Sequence, residues 1–253
     1  LIQGTTEWLP VSSQGSVTAL GSFFFDLTLA EAISFALWLH LGTAVSALVA
    51  FRIELLDLAA EALRDPTHPT PLLRFAVVGT ATSVVISVPV VLALDDLSTL
   101  IGSSAMIVIG VAMLGTALVL RTRPGGGLRL REDLTFIDAL GFGVAQGLAA
   151  IPGFSRSGLT VALLLGRHFD RSEALAISFI MSIPASLGAA LFAGLDGDGI
   201  GITEGLIGAV SAALVGFISI RLLLALTHHI NFSKFVGLLG LVVIAGGVAQ
   251  TWL

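Results

Sequence analysis

The sequence is poor in charge, in lysine and in cysteine, and each shortage narrows the class of protein. Only 11% of the 253 residues are charged, 55% are hydrophobic, and the mean hydropathy is +1.01. Too few polar side chains are present to cover a water-soluble core, so we predict a polytopic membrane protein. The absence of cysteine excludes disulfide bonds but leaves the compartment open, because membrane proteins seldom depend on disulfides.

The charges that are present are spread over the connections rather than gathered in a tail. The net charge of −5 therefore gives no indication of a nucleic-acid or polyanionic partner. The preference for arginine over lysine reflects genome composition rather than mechanism. The chain begins at Leu1 without a signal peptide, and we expect roughly eight to ten further residues before it.

Six apolar runs each approach the roughly 20 residues that cross a bilayer core. They are residues 33–51, 72–94, 100–120, 174–195, 205–226 and 235–253. We predict an all-α polytopic membrane protein with six full transmembrane spans. Segment 52–64 is amphipathic and is predicted to lie on the inner surface of the membrane.

Arginines and acids alternate between successive connections. Residues 52–74 and 121–133 carry three and four arginines, whereas residues 95–99 and 196–204 carry acids and no base. Cytoplasmic connections of membrane proteins are enriched in arginine and lysine. The arginine-bearing connections are therefore predicted to face the cytoplasm.

The predicted orientation makes the two halves of the chain run in opposite directions. Span 33–51 passes from outside to inside, whereas span 174–195 passes from inside to outside. We predict an inverted-topology repeat, with residues 1–121 as the first half and residues 136–253 as the second. Residues 122–135 form the cytoplasmic arginine-rich linker between them.

Two short polar runs interrupt the apolar sequence and resemble each other. Each begins with Gln-Gly, breaks at a proline and continues through serine and glycine. Four residues of the first run recur 143 positions later, namely Gln3, Gly4, Ser12 and Gly15. Inverted repeats of this kind place their binding site near the membrane midplane, where the halves meet.

The second polar run is predicted to lie at the apex of a re-entrant helical hairpin. Its flanking arms, residues 136–151 and 155–167, would be about 24 Å and about 20 Å of helix, short of a ~30 Å core. The whole stretch also lies between two cytoplasmic connections, so it must enter and leave the membrane on the same face. The first run is expected to form a second re-entrant hairpin that mirrors it, and shorter membrane helices complete the fold.

The second run has the residue types of a phosphate-binding site. Residues 152–160 combine a Pro-Gly turn with a helix start, whose unpaired N–H groups and positive dipole end attract anions. Arg156 adds a planar fork that matches two phosphate oxygens. The predicted binding residues around it are Gly153, Ser155, Ser157, Gly158 and Thr160. The alternative is a capped broken helix in which Arg156 pairs with an acid, but an arginine inside a membrane is costly without a function.

The first run supplies a carboxylate and hydroxyl groups. Glu7 lies within an apolar stretch and needs a partner: it could act as a general base, hold a divalent cation against phosphate, or neutralise Arg156. Gln3 is one helical turn earlier, where it could orient water or the carboxylate, or pack as an amide between helices. Ser12 and Ser13 follow a proline, and Ser13 is the candidate nucleophile, with water as its rival and helix capping as the alternative.

Two other charged or titratable residues have simpler interpretations. His40 lies within a predicted span and is a candidate proton relay, although a hydrogen-bonded interhelical histidine is the favoured interpretation. Arg221 lies near the inner end of its span and is expected to extend toward the membrane surface.

These motifs make the chain resemble the undecaprenyl-diphosphatase family, also known as the bacitracin-resistance phosphatases, along almost its whole length. Gln3 and Glu7 meet the family's Glu/Gln-x-x-x-Glu element, and residues 10–13 meet its Pro-Val-Ser-Ser. Residues 152–160 meet Pro-Gly-x-Ser-Arg-Ser-x-x-Thr in full. The resemblance implies a phosphatase of the plasma membrane that removes one phosphate from a polyprenyl diphosphate, with a site open toward the extracytoplasmic side.

One position departs from the family pattern, which continues Ser-Ser-x-Gly-His where this chain has Ser16. The resemblance implies a catalytic part for that histidine. Without it, the chain would use Glu7 with a serine, work slowly, or bind lipid without hydrolysis. Ser16 is kept among the predicted binding residues. The resemblance also implies a divalent cation, Mg²⁺ or Ca²⁺, with Glu7 as its protein ligand.

Two transport functions have the same architecture as the phosphatase. A carrier that flips polyprenyl phosphate between leaflets would also use inverted repeats with broken helices, and the missing histidine favours it somewhat. An ion-coupled carrier of a small anion gains nothing from the diphosphatase motifs. The expected partners are the lipid diphosphate and membrane lipids, and a homodimer is left open.

Overall fold

The computed structural model describes residues 1–101, 105–122, 127–196, 201–226 and 232–252. Within these ranges the chain forms eleven α-helices and no β-strand. The helices are α1 (Ile2–Thr6), α2 (Ser13–Phe24), α3 (Leu29–Ala50), α4 (Arg52–Arg64), α5 (Pro71–Ile101), α6 (Ala105–Arg121), α7 (Phe136–Leu148), α8 (Arg156–Gly166), α9 (Arg171–Asp196), α10 (Ile202–Leu226) and α11 (Phe232–Trp252). A 3-10 turn at Arg131–Asp133 precedes α7.

In the described residues, each predicted span overlaps a helix. Four helices contain a described segment that is long and apolar enough to cross a membrane. These segments are Leu29–Ala50, Pro71–Ala93, Arg171–Phe192 and Thr203–Ala225. The described apolar parts of α6 and α11, Met106–Arg121 and Val236–Ala249, are shorter. The chain is thus an all-α polytopic membrane protein, and the number of six spans stays a prediction.

The end of α5 differs from the sequence prediction. Residues 95–99 were assigned to a connection because of their two acids, but α5 continues through them to Ile101. No glycine or proline occurs between Asp95 and Ile101, so nothing in the backbone ends the helix there. Part of the second acidic connection, residues 197–200, lies outside the described residues.

Side-chain caps fix where two of the helices begin. At the start of α3, Thr28 Oγ1 accepts a hydrogen bond from the Glu31 N–H at 3.3 Å, and the Glu31 carboxylate accepts one from the Thr28 N–H at 2.8 Å. Thr135 and Asp138 form the same capping box at the start of α7. These reciprocal bonds satisfy N–H groups that a helix start leaves unpaired.

Two pairs of short helices carry the polar runs. Helices α7 and α8 have 13 and 11 residues, or about 20 Å and about 17 Å of helix, and they pack against each other. Helices α1 and α2 have 5 and 12 residues and also pack together. All four are too short to cross a ~30 Å core, as expected for re-entrant hairpins.

The helix contacts follow a matched pattern between the two halves of the chain. Helix α7 packs on α5 and α1 packs on α10, while α3 packs on α9 and α6 on α11. If α1, α3, α5 and α6 are equivalent to α7, α9, α10 and α11, each contact has a counterpart. The boundaries at residues 1–121, 122–135 and 136–253, and the inverted direction of the halves, stay predictions.

An aromatic core lies around the second hairpin and fixes its position. The rings of Phe75 and Phe142 meet edge to face at 5.0 Å between centroids, and those of Trp8 and Phe179 at 5.2 Å. All four side chains are fully buried. Because Trp8 belongs to the first polar run and Phe142 to the second hairpin, this one core positions both polar runs.

Candidate active site

The two polar runs have the same local structure at their turns. We call residues 7–12, between α1 and α2, the first tip, and residues 149–155, between α7 and α8, the second tip. Ser12 Oγ accepts a hydrogen bond from the Gly15 N–H at 3.0 Å, and Ser155 Oγ accepts one from the Gly158 N–H at 3.1 Å. Each serine therefore caps the helix that follows its tip. Ser12 and Ser155, which lie 143 positions apart, thus make the same capping hydrogen bond.

The tips contact each other directly. Ser12 Oγ also accepts a hydrogen bond from the Gly153 N–H at 3.2 Å, and Ser157 Oγ donates one to the Leu9 carbonyl at 2.6 Å. Gly153 has a φ of 103°, and a Cβ at this position would lie 2.4 Å from the Ile109 carbonyl oxygen. Only glycine fits there, because other residues would meet both backbone strain and this close contact.

The carboxylate of Glu7 is buried at the meeting point of the tips, with 4% of the residue exposed. Its Oε1 accepts a hydrogen bond from Arg156 Nη2, so the acid of one half pairs with the base of the other. Its Oε2 accepts hydrogen bonds from Gln3 Nε2 at 2.8 Å and from Ser13 Oγ at 2.6 Å. The structure thus brings together the four residues that the sequence analysis assigned to catalysis.

Trp8 and Ser178 hold the guanidinium of Arg156 in place. Arg156 Nη1 donates a hydrogen bond to the Ser178 carbonyl at 3.3 Å, and its Cζ lies 5.9 Å from the centre of the Trp8 ring. Neither residue is among the predicted site residues. Trp8 follows Glu7 directly, which could have marked it, whereas Ser178 carries no local signal in its apolar span.

His40 lies at the site, and its contacts fit both predicted interpretations, a proton relay and a hydrogen-bonded interhelical histidine. Its Nδ1 lies 2.7 Å from the Ala36 carbonyl of its own helix, and its Nε2 lies 3.5 Å from Glu7 Oε2. An N–H at Nδ1 that donates to the Ala36 carbonyl leaves Nε2 as the ring nitrogen that faces Glu7. The imidazole therefore lies between its own helix and the carboxylate of the first tip.

A cavity of about 310 Å³ lies beside this group of residues. Its polar lining includes Gln14, His40, Gln146 and Arg156. Most of the remaining wall comes from α5 and α9, whose lining residues include valines, alanines and Phe192, and the second tip adds Ala149 and Ala150. Among the described residues, this cavity joins the charged centre to an apolar channel.

The remaining predicted binding residues have partners inside the protein. Ser16 Oγ donates a hydrogen bond to the Ser12 carbonyl at 2.7 Å, which fixes the start of α2. Thr160 Oγ1 bonds the Arg156 carbonyl at 2.8 Å and lies 2.7 Å from Ser178 Oγ. Ser155 and Ser157, described above, cap α8 and join the tips. The geometry gives these hydroxyls a positioning role, and their contact with phosphate stays a prediction.

The side chains around Glu7 do not form a cation site of their own. The two carboxylate oxygens of Glu7 already accept three hydrogen bonds, which come from Gln3, Ser13 and Arg156. Among the described residues, no three His, Asp or Glu side chains are grouped to hold a metal. The predicted divalent cation would therefore depend mainly on phosphate oxygens, and it stays a prediction.

The fold and the site define a class of protein: an all-α membrane protein in which two helical hairpins bring a buried acid, hydroxyl and guanidinium to a cavity. The chain belongs to the bacitracin resistance protein BacA family, whose model matches residues 1–245. It is 37% identical over 246 residues to the undecaprenyl-diphosphatase of Methanococcoides burtonii, covering 93% of this chain and 91% of that protein.

Further relatives carry the same name. The undecaprenyl-diphosphatase of Methanopyrus kandleri is 37% identical over 248 residues, which cover 95% of this chain and 90% of the relative. That of Haloarcula marismortui is 35% identical over 256 residues, which cover 98% and 94%. These similarities extend over nearly the whole length of both partners in each comparison.

Proposed function

We propose that the protein is an integral-membrane phosphatase that hydrolyses a polyprenyl diphosphate of the undecaprenyl type to the monophosphate. The observation that carries this proposal is the Ser13–Glu7–Arg156 group: a hydroxyl bonded to a buried carboxylate that also pairs with a guanidinium beside the cavity. Family membership and the name shared by its relatives support the same activity.

Arg156 binds the diphosphate and stabilises the charge that develops during its cleavage. Its side chain lines the cavity, and its contacts with Trp8 and Ser178 fix its direction before substrate arrives. Phosphoryl transfer spreads negative charge over the equatorial oxygens, and a fixed guanidinium in a dry site stabilises it strongly. The substrate phosphate shares Arg156 with Glu7, since the two already form an ion pair.

Ser13 is the attacking group in the first step. Its oxygen bonds to the terminal phosphorus while its proton passes to Glu7, 2.6 Å away. The bond between that phosphorus and the bridging oxygen breaks, and its electron pair stays on the bridging oxygen. The lipid monophosphate leaves, and a phosphoserine remains.

Water completes the reaction in a second step, with His40 as the base. A water oxygen attacks the phosphoserine phosphorus, and His40 Nε2 accepts one of its protons. The serine oxygen leaves and takes back the proton held by Glu7, which restores the starting site. Inorganic phosphate is released, and solvent takes up the proton from His40. Ser16 stands where the family pattern has histidine, so His40 supplies an imidazole from another helix.

The proposed location is the plasma membrane, with the site open toward the extracytoplasmic side. The arginine-bearing connections at residues 52–74 and 121–133 support this orientation through the positive-inside rule. Released phosphate would then leave outside the cytoplasm, while the lipid product stays in the membrane.

Purified protein in liposomes that contain polyprenyl diphosphate tests the proposal, with released inorganic phosphate as the readout. Arg156→Ala and Glu7→Gln should each reduce the rate by about a thousandfold, because each removes a charged partner of the reacting group. Arg64→Ala, an exposed arginine at the end of α4, should leave it unchanged.

The same liposomes can also report transfer of polyprenyl phosphate between leaflets. Such transfer without phosphate release would identify the protein as a transporter rather than a phosphatase. Equal rates in Arg156→Ala and wild type would place the chemistry elsewhere. Both outcomes contradict the proposal.

A further inference from the structure

Two buried amide side chains at the cavity, those of Gln146 and Gln14, have polar atoms without a hydrogen-bond partner among the described residues. Neither the oxygen nor the nitrogen of the Gln146 side chain makes a hydrogen bond within the described part of the chain, although only 4% of the residue is exposed. The nitrogen of Gln14, which is 8% exposed, is unpaired in the same sense. Unpaired buried polar groups are rare because burial removes their bonds to water. Both side chains line the cavity, so a ligand there could satisfy them.

The comparison of the two halves explains why Gln146 is unpaired. In the first half, Gln3 donates to Glu7 four residues later. In the second half, Gln146 is the equivalent of Gln3, and the position four residues later is Ala150. Ala150 also lines the cavity. The carboxylate that would have bonded Gln146 is therefore replaced by open space that a ligand can enter.

The cavity wall changes from polar to apolar along α5. The lining positions on α5 form one face of the helix over about 18 Å at ~1.5 Å per residue. They are Thr80, Ser83, Val84, Ser87, Val88, Val91 and Leu92. The hydroxyls lie in the first half of this face, level with Gln146, since Gly147 packs on Ile86 and on the Ser83 carbonyl. The second half is purely apolar, so the cavity fits an amphipathic ligand.

The apolar part of the cavity opens sideways between α5 and α9. Val84, Val88 and Leu92 are 51%, 49% and 60% exposed, although they lie within a predicted span. Residues exposed at this depth face lipid rather than water. A ligand can therefore enter from the bilayer with its chain still in lipid. We call this region, lined by α5 from Val88 and by α9 from Gly188, the apolar arm.

We infer that Gln14 and Gln146 form a subsite for the phosphate attached to the lipid, and that the apolar arm holds the first prenyl units. The inference rests on the proposed function and adds residues that bind the part of the substrate that is not cleaved off. The chemical class of the ligand is a prenyl phosphate or diphosphate. Neutral amide donors bind a phosphate without the full strength of an arginine, which lets the lipid monophosphate leave after cleavage.

Binding of farnesyl monophosphate and of inorganic phosphate, each titrated onto the full chain in lipid nanodiscs, tests the subsite. Gln146→Leu and Gln14→Leu should each raise the Kd for farnesyl monophosphate about tenfold, and the double variant should raise it further. Thr18→Val is the matched control, because Thr18 is a buried residue outside the cavity lining whose hydroxyl makes no hydrogen bond to a described residue. It should bind farnesyl monophosphate as the wild type does.

Gly188 allows a separate test of the apolar arm. It lines the cavity, and a Cβ added there would meet no atom within 4 Å. Gly188→Phe therefore adds a ring at a position where a Cβ has free space, and it replaces a poor helix former within α9. We expect at least a tenfold rise in the Kd for farnesyl monophosphate and no change for inorganic phosphate. Gly188→Ala, which adds one methyl group, should bind both like the wild type.

The outcomes separate this inference from the proposed function. Unchanged farnesyl monophosphate binding in both glutamine variants overturns the subsite, even if the wild type hydrolyses diphosphate. Equal affinity for phosphatidic acid, or equal weakening of inorganic phosphate by Gly188→Phe, overturns the assignment of the arm to a prenyl chain. Wild-type protein that binds farnesyl monophosphate with the predicted variant effects but releases no phosphate would contradict the phosphatase and leave the subsite standing.

Discussion

At the scale of single residues, Glu7 connects three other parts of the site. Its carboxylate contacts Ser13 at the start of α2, His40 in α3 and Arg156 at the start of α8. A change in any of these side chains alters the environment of the same two oxygens. Substitutions at this site are therefore expected to be strongly non-additive, because they act on one bonded unit.

His40 should affect the chemical step. We expect His40→Gln to lower kcat about a hundredfold, within the range for loss of a positioned acid–base group, with little change in KM. Steady-state phosphate release from prenyl diphosphate measures both values. His68→Gln is the control, because His68 lies exposed in the connection between α4 and α5. A rise in KM with unchanged kcat would show that His40 binds substrate rather than moving a proton.

Ser13 should carry the phosphoryl group between the two steps. Acid quenching of turnover with diphosphate labelled at its terminal phosphate should leave label on the wild type and none on Ser13→Ala. Ser34→Ala, which removes a buried hydroxyl of α3 outside the cavity lining, should be labelled like the wild type. Hydrolysis by a wild-type protein that never becomes labelled would mean that water attacks the diphosphate directly.

The sequence predicted the meeting of Glu7 and Arg156, but it did not predict that His40 lies beside Glu7. The first contact follows from a repeated motif, since two related runs in opposite halves are expected to meet at the midplane. His40 belongs to no repeated motif. Its distance to Glu7 depends on how α3 packs on α1 and α2, which no local pattern of residues specifies. Their catalytic roles remain proposals.

At the scale of the helices, one buried acid ties together the base of the second hairpin. Asp138 is 1% exposed and accepts hydrogen bonds from Arg129 at 2.7 Å and from Arg167 at 2.6 Å. It also accepts one from the Thr135 hydroxyl at 2.7 Å, within the capping box of α7. These contacts join the linker, the start of α7 and the end of α8, so they fix the two arms that carry the second tip.

Asp138→Ala should destabilise the fold by about 3 kcal/mol, since it leaves two arginines without their common partner. Arg129 and Arg167 are partly exposed, so the expected loss of stability lies at the lower end of the range for broken buried ion pairs. Thermal unfolding in detergent measures the loss. Glu132→Ala removes an exposed acid from the neighbouring turn and should leave the midpoint nearly unchanged. Equal shifts in both variants would argue against a special role for the cluster.

Helix identities were more predictable than helix ends. The described part of each apolar run is helical, because backbone groups within a membrane find hydrogen-bond partners only inside the protein. The two acids at residues 95–99 predicted a connection there, but α5 continues to Ile101 because charge alone does not end a helix. Asp95 and Asp96 are tolerated within a helix, and no glycine or proline interrupts residues 95–101. The short arms around residues 149–155 were predicted well, since their length alone excludes a full span.

At the scale of the whole molecule, the two halves make unequal contributions to one site. The first supplies Glu7, Ser13 and His40, and the second supplies Arg156 and Gln146. The contact between the Ser12 hydroxyl and the Gly153 N–H joins the halves where these groups meet. The inverted direction of the halves follows from the distribution of arginines, and it needs a measurement of orientation.

The absence of cysteine makes that measurement direct. Single substitutions Phe25→Cys, between α2 and α3, and Thr67→Cys, between α4 and α5, replace exposed residues in a chain without other thiols. A maleimide that does not cross membranes should label Phe25→Cys in intact cells and Thr67→Cys only after permeabilisation. The reverse labelling pattern would invert the predicted topology and place the arginine-bearing connections outside.

The sideways opening between α5 and α9 has a kinetic consequence. An enzyme that takes its substrate from the surrounding lipid responds to the crowding of substrate molecules within that two-dimensional phase. The amount per litre of buffer then has little influence on the rate. Adding inert detergent or phospholipid at a fixed total amount of prenyl diphosphate lowers the mole fraction of substrate in the membrane phase. Turnover should slow in the same proportion, because the cavity takes its substrate from that phase.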